Sequence, residues 1–334
     1  MARGRTDEDV ARIDLSEGPS APVGDEGRSA DTPSEVPAEG WRDVARRVKA
    51  EVKEDHVTLT AAGVAFFGFL AVIPGLVALV SVYGLFGDPD TVAERVEDLA
   101  GTLPEEARDL LVEQLVAITG SSSSALTLGL VISLGAALWA ASSGMSHLVE
   151  AVNMVYGERE SRGFVARRAL AVALTLGAIL FGILAIAGIT VWPAVVSAIE
   201  PPSAVGWLLR LAVWPVLGFG LAVALAVLYK VAPNREDPEW RWTSWGAGTA
   251  VVLWLLASIG FQVYAGNFGS YNETYGSLGA VVLLLLWLWI SATVTLLGAE
   301  INSELEHQTA RDSTTGPDEP MGARGAVVAD HVAP

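Results

Sequence analysis

Six stretches of this chain contain no Asp, Glu, Lys or Arg over 19 to 31 residues: 59–86, 125–148, 169–199, 211–229, 243–265 and 278–298. A bilayer hydrocarbon core about 30 Å thick takes about 20 apolar residues of helix to cross. Each stretch meets that length, so the sequence predicts an all-α, polytopic membrane protein with six transmembrane helices. The third and fourth are separated only by a short turn around Pro201 and Pro202, which predicts a tight hairpin. Arg210, at the edge of the fourth, is placed at an interface where its stem can lie along apolar surface while its charge reaches water.

The rest of the composition fits that reading only because the charge is segregated. The chain has 334 residues and a net charge of −17, yet 51% of its residues are hydrophobic. Residues 1–40 sum to −6, residues 88–113 to −7 and residues 300–334 to −5. Acidity of that kind argues against a nucleic-acid-binding surface. The absence of cysteine excludes disulfides, thiolate metal sites and cysteine nucleophiles. Residues 1–40, rich in Pro, Gly, Ser and acid, bury too little surface to offset the entropy of ordering. They are expected to be disordered, as is a C-terminal tail over 309–334, with the membrane domain spanning 41–308. The N-terminal segment has no apolar h-region and is not a signal peptide.

Orientation follows from Lys and Arg in the short loops, which resist translocation. With the N-terminal flank inside, the cytoplasmic segments hold thirteen basic residues, from Arg42 to Arg311, against Arg95, Arg108 and Arg210 outside. Both termini are therefore expected in the cytoplasm, as an even number of spans requires.

Two amphipathic segments flank the spans. Trp41, Val44, Val48 and Val52 recur at helical spacing beside a basic face, which predicts a cytoplasmic interfacial helix on the anionic leaflet. Between the first two spans, Thr102 and Glu105 form a capping box before Ala107, Leu110, Leu111, Leu115 and Ile118 on one face. This outer-loop helix is expected either to pack over the outer mouth of the bundle or to be an exposed connector.

Helices in lipid associate through small residues that let backbones approach. Gly129, Ser133, Ala137 and Ala141, with Ala136, Ala140 and Gly144 on an adjacent face, make the second span the candidate central helix. Ser291, Thr295 and Gly298 form a stripe on the last. Pro74, Pro193 and Pro215 lie inside spans and are expected to kink them, as hinges or as static bends.

Chemistry is sparse. No ionisable residue falls at mid-membrane, which weighs against a charged proton relay and leaves room for a large amphiphile such as a lipid. His147, Glu150 and Asn153 share a helix face, as do Glu300, Glu304 and His307. One His and one Glu are too few for a metal, so the first group reads as interfacial polar packing and the second as a solvated face. Glu300 stands apart, placed to bond an Arg or backbone group of the inner loops. No Walker A loop, GxSxG elbow or HExxH motif is present. The chain is read as a non-enzyme, and no cofactor is implied.

Four ordered motifs resemble the YihY/virulence factor BrkB family over about residues 41–306. TLTAAGVAFFGFLAVIPGLVALVSVYG, with Pro74, is similar to its first span. LVEAVNMVYGERESRGFVARRALAVALTLG, with Asn153, Arg167 and Arg168, is similar to the segment after its second. VAPNREDPEWRWTSWGAGTAVVLW carries Pro233, Asn234 and Arg235. The last motif runs from YGSLG, with Tyr275, Gly276, Ser277 and Gly279, to GAE-aliphatic-Asn, with Glu300 and Asn302. One departure is Phe66 and Phe67, where the family commonly has tyrosines. The resemblance implies a six-span bacterial cytoplasmic-membrane protein concerned with envelope integrity, serum resistance or lipid handling. It also brings an old ribonuclease BN label, which neither a metal cluster nor a basic RNA-binding face supports here.

The function expected is transport of a lipid or lipid-linked envelope precursor between leaflets, with membrane lipids as partners and no nucleic acid. A non-transporting membrane scaffold is the alternative and a ribonuclease the remote one. The sequence assigns no oligomeric state.

Overall fold

The first helix pair is separated by two residues, Asp55 and His56, the second in the left-handed region at φ 49°. On one side lies α1 (Ala38–Glu54), with Glu39 in its first turn and Lys53 in its last, both favourable to the helix dipole. On the other lies α2 (Val57–Phe86). The computed structural model describes residues 26–86, 124–199, 201–266 and 277–333. Further along are α3 (Ser124–Val155), α4 (Phe164–Ala198), α5 (Ser203–Leu211), α6 (Val213–Val231), α7 (Trp240–Gly266), α8 (Ser277–Glu306) and the short α9 (Val327–Asp330). A 3-10 turn, Pro33–Glu35, precedes α1. Among the described residues there is no strand, only an isolated bridge between Pro238 and Thr314.

Five helical segments among the described residues are long and apolar enough to cross a membrane: Val57–Leu76, Phe164–Ala198, Val205–Val231, Trp240–Gly266 and Gly279–Glu306. Their outward faces carry exposed Leu180, Leu184, Phe219, Leu256 and Ile259. An apolar surface of that extent is what lipid, not water, covers. α3 is a 32-residue helix packed on α2, α4 and α8. The hairpin expected at Pro201 and Pro202 is present, with α6 packed back on α4 and Trp192 Nε1 donating to the Leu209 carbonyl at 2.6 Å.

The fully buried core gathers at one end of the bundle. It includes Val57 and Ala61 where α2 begins, Val149 and Val152 near the end of α3, Leu228 and Tyr229 near the end of α6, Ala247 early in α7, and Leu296 and Ala299 late in α8. That end is also where the charges lie.

Several expectations change here. The central helix is α8, which touches α1, α2, α3 and α7, rather than α3. Its backbone meets α7 directly, since a Cβ on Gly298 would sit 2.8 Å from both Ala250 Cβ and the Gly246 carbonyl. Pro215 is the third residue of α6, where its missing N–H breaks no intrahelical bond; Pro74 and Pro193 do lie inside α2 and α4. The apolar stripe of α1, Trp41, Val44 and Val48, packs on Trp242, Ile301 and Leu305. Protein from α7 and α8 thus covers the surface that lipid was expected to take. The outer-loop helix over 102–118 lies outside the described residues.

The tails differ most. Residues 26–37 pair with the end of α8: Gln308 Nε2 donates to the Glu26 carbonyl at 2.7 Å, and Ala310 N to Arg28 O at 2.8 Å. The C-terminal segment, expected to be disordered, is ordered over 309–333 around Arg324, itself buried. That guanidinium donates to the carbonyls of Ala310, Arg311, Glu319 and Ala329 at 2.7 to 3.1 Å. One buried arginine that bonds four carbonyls fixes a segment whose composition reads as loose chain.

Candidate functional site

Two places concentrate features that packing alone does not require. The first is the charged end of the bundle. α3 closes with Gly157 at φ 63°, a left-handed residue that glycine adopts without strain, and Gly157 N and Glu158 N cap the carbonyls of Met154 and Asn153. This turn leaves the Asn153 side chain to cross to the loop after α6. Its Oδ1 accepts from Asn234 N at 2.7 Å, and its Nδ2 donates to Val149 O and Ala232 O at 3.0 and 3.3 Å. Asn234 in turn donates to Arg159 O and Ser161 Oγ at 2.9 and 2.6 Å. Arg162 reaches the Ala232 carbonyl at 2.7 Å and pairs with Glu160, whose carboxyl is held below its ordinary value by that hydrogen bond.

Next to this junction, Arg235 is bidentate to Glu306, and its guanidinium lies 4.9 Å over the Tyr156 ring. Ser313 Oγ adds a 2.8 Å bond to Glu306. Asn302 Oδ1 accepts from Gly246 N at 2.7 Å, and its Nδ2 donates to Thr243 O at 3.0 Å, which pins α8 to the start of α7. Arg47 of α1 pairs with Glu304 and donates to Gln308. Glu300 and Glu304 are buried rather than solvated, because α1 and the C-terminal segment cover the face they share. Glu300 forms no hydrogen bond to the inner loops among the described residues, and its Oε1 has no partner there. The His147 ring stacks on Phe67 at 3.6 Å and its Nδ1 lies 3.8 Å from Glu150. Among the described residues no three His, Asp or Glu are placed to hold a metal ion.

The second place is a cleft of about 510 Å³ between α2, α3, α4 and α8. Gly68, Ala71 and Gly75 of α2 make room for it, facing Met145, Ile179 and Leu288. Its hydroxyls are already engaged. Thr175 Oγ1 donates to Ala171 O and Thr295 Oγ1 to Ser291 O, while Ser291 Oγ accepts from Trp254 Nε1. A hydrophilic solute would find few free partners there; a hydrocarbon chain needs none.

Comparison with known proteins now bears on the fold. The family model described as virulence factor BrkB matches residues 48–322. The chain belongs to the virulence factor BrkB family. Among its relatives is a ribonuclease-like protein, YfkH, of Bacillus subtilis (strain 168), 29% identical over 253 residues, or 73% of this chain and 88% of that protein. A UPF0761 membrane protein of Alteromonas mediterranea is 27% identical over 256 residues, covering 76% of this chain and 84% of its own. One from Pseudoalteromonas atlantica is 24% identical over 273 residues, covering 80% and 88%. No solved structure matches.

In this BrkB-family chain the motif residues fall into two groups. Asn153, Pro233, Asn234, Arg235, Glu300 and Asn302 all come together at the charged end, Pro233 and the others being buried or half-buried. Arg167 and Arg168 lie apart, in the first turns of α4; Arg167 is exposed, whereas Arg168 turns to α3, stacking 3.9 Å over the Trp139 ring and bonding the Trp139 carbonyl. Pro74 lies within α2 beside the cleft-lining Gly75. Gly279 is buried at the start of α8; Tyr275 and Gly276 lie outside the described residues, as does the Ser277 side chain. Sequence reasoning missed Glu306, Tyr156 and Trp242. The signal for Glu306 was the Arg235 charge, which had to find a carboxylate if it was buried.

Proposed function

We propose that this BrkB-family protein is a six-span bundle of the bacterial cytoplasmic membrane that moves an amphiphile, a membrane lipid or lipid-linked envelope precursor, between leaflets. The observation that carries this reading is the apolar cleft between α2, α3, α4 and α8, bordered by glycines of α2 and roomy enough for an acyl chain to lie in. The topology has separate support. The hydrogen bond from Ala310 N to Arg28 O puts the segment before α1 beside the segment after α8, which supports an even number of crossings. Five segments among the described residues qualify by length and hydropathy, and we take the 32-residue α3 as the sixth. Lys and Arg are more numerous at that end than in the opposite loops, which argues for a cytoplasmic location of both termini.

The test is reconstitution in liposomes with a fluorescent phospholipid whose outer-leaflet fraction is quenched. Movement faster than in protein-free vesicles is the expected result, slowed by Gly75→Leu, which fills the cleft from a position where a Cβ meets nothing within 4 Å. Rates equal to those of empty vesicles across several lipid classes would sink the proposal. In that case a stable partner recovered by crosslinking would favour the scaffold.

A further inference from the structure

A second cavity, of about 490 Å³, lies at the charged end between α1, the end of α3, the end of α8 and the C-terminal segment. Its charges do not balance. Four acidic side chains line it, those of Glu51, Asp55, Glu300 and Glu304, together with Arg47, His307 and His331. Arg47 and His307 are both committed to Glu304. His331 Nδ1 lies 2.9 Å from its own helix carbonyl at Val327. No salt bridge is formed by Glu51, Asp55 or Glu300 among the described residues. Glu300 lines the cavity, is 1% exposed and has Oε1 without a hydrogen-bond partner among the described residues. Burial first, and neighbouring carboxylates second, raise the carboxyls of Glu51 and Asp55 above their ordinary values. A positive charge between them would relieve that repulsion.

The rest of the lining says what kind of cation fits. The carboxylates do not converge on a metal ion. Met154, Val155, Val328 and Val332 add apolar surface to the same lining. A ligand matched to both has a compact charge that donates several hydrogen bonds and a short hydrocarbon body.

We propose that this cavity binds a soluble organic cation bearing a primary ammonium group, with Glu300 as its buried acceptor and Glu51 and Asp55 as the further charges around it. The ammonium donates to Glu300 Oε1, and the carbon chain lies along Val328 and Val332. The C-terminal segment then acts as one wall of a binding site. The proposal is independent of lipid movement through the cleft between α2, α3, α4 and α8.

The experiment is isothermal titration of the full chain in detergent micelles with 1,4-diaminobutane and with n-butylammonium, against KCl at matched ionic strength. Saturable binding of at least one amine, absent for KCl, is expected. Glu300→Gln, nearly isosteric, should weaken it at least tenfold. Val332→Trp, which fills the apolar wall without touching a charge, should weaken it as well. If Glu300→Gln fails to fold, Glu51→Gln with Asp55→Asn takes its place, with the same loss expected. Neither amine binding, heats matched by KCl, or affinity unchanged in these variants would each overturn the proposal. Amine-lipid vesicles competing in place of free amine would overturn the soluble-ligand assignment.

Discussion

Arg235 donates through Nη2 to both carboxylate oxygens of Glu306, at 2.9 and 2.8 Å, with neither side chain exposed to solvent. A buried pair is costly to break, because the partner left behind is an uncompensated charge in a poorly solvating interior. Arg235→Ala or Glu306→Ala should each destabilise the bundle by about 3–5 kcal/mol. The double change Arg235→Met with Glu306→Leu should cost less than either alone. Thermal unfolding in detergent reads this cycle; additive losses would mean that the two side chains do not depend on each other.

The crossing of α7 and α8 makes a sharper claim. Gly298→Ala would push a methyl against Ala250 Cβ and the Tyr229 hydroxyl, which now donates to Thr295 O at 2.7 Å. Overpacking of this kind costs about 1–3 kcal/mol. Gly248→Ala, on the same α7 but with nothing within 4 Å of the new methyl, should be neutral or stabilising by up to about 1 kcal/mol. Equal effects at the two glycines would refute the close approach.

Two carboxylates should respond to pH with opposite sign. Asp55 has its folded value raised above 3.8 by burial, so the wild type loses stability as pH climbs from 3.8 through that raised value. Asp55→Asn should therefore be the more stable protein near pH 7, with the gap closing in acid. Glu160 has its folded value lowered below 4.5 by the Arg162 hydrogen bond, so its contribution is complete above 4.5 and fades as pH falls through the lowered value. Glu160→Gln should be the less stable near pH 7, by under about 1 kcal/mol because the pair reaches solvent. Unfolding midpoints measured from acid to neutral pH decide both.

Because the chain has no cysteine, single reporters can be placed freely. Lys49→Cys and Ala323→Cys, both at exposed positions, should be shielded from a membrane-impermeant maleimide in intact cells and labelled in inverted vesicles. Labelling of one but not the other in intact cells would contradict an even number of crossings.

What the sequence revealed, and what it hid, follows the range of each interaction. Spans are legible because length and absence of charge are local properties, and the Pro201–Pro202 hairpin for the same reason. The helix at 38–54 was legible too, but not that Trp242 and Leu305 would cover its apolar stripe. Glu300 and Glu304 share a helix face by spacing alone; whether that face is wet depends on α1 and on residues 327–333, far away in the chain. Asn153 and Asn234 each stood out as motif residues, yet nothing local says that one accepts a bond from the other's backbone across 81 positions. Arg324 is the clearest case, since its four carbonyl bonds exist only once the chain has folded back around it.

The pairing of Arg47 with Glu304 spans 257 residues. At about 5–20 residues per second on a ribosome, roughly ten to fifty seconds separate the synthesis of the two. During that interval a nascent chain carries Arg47, and from position 235 onward Arg235 as well, with their carboxylate partners unmade. Only a completed α8 silences these two. The charged end therefore depends on completeness: a product truncated before Glu304 leaves both Arg47 and Arg235 without the carboxylates that neutralise them.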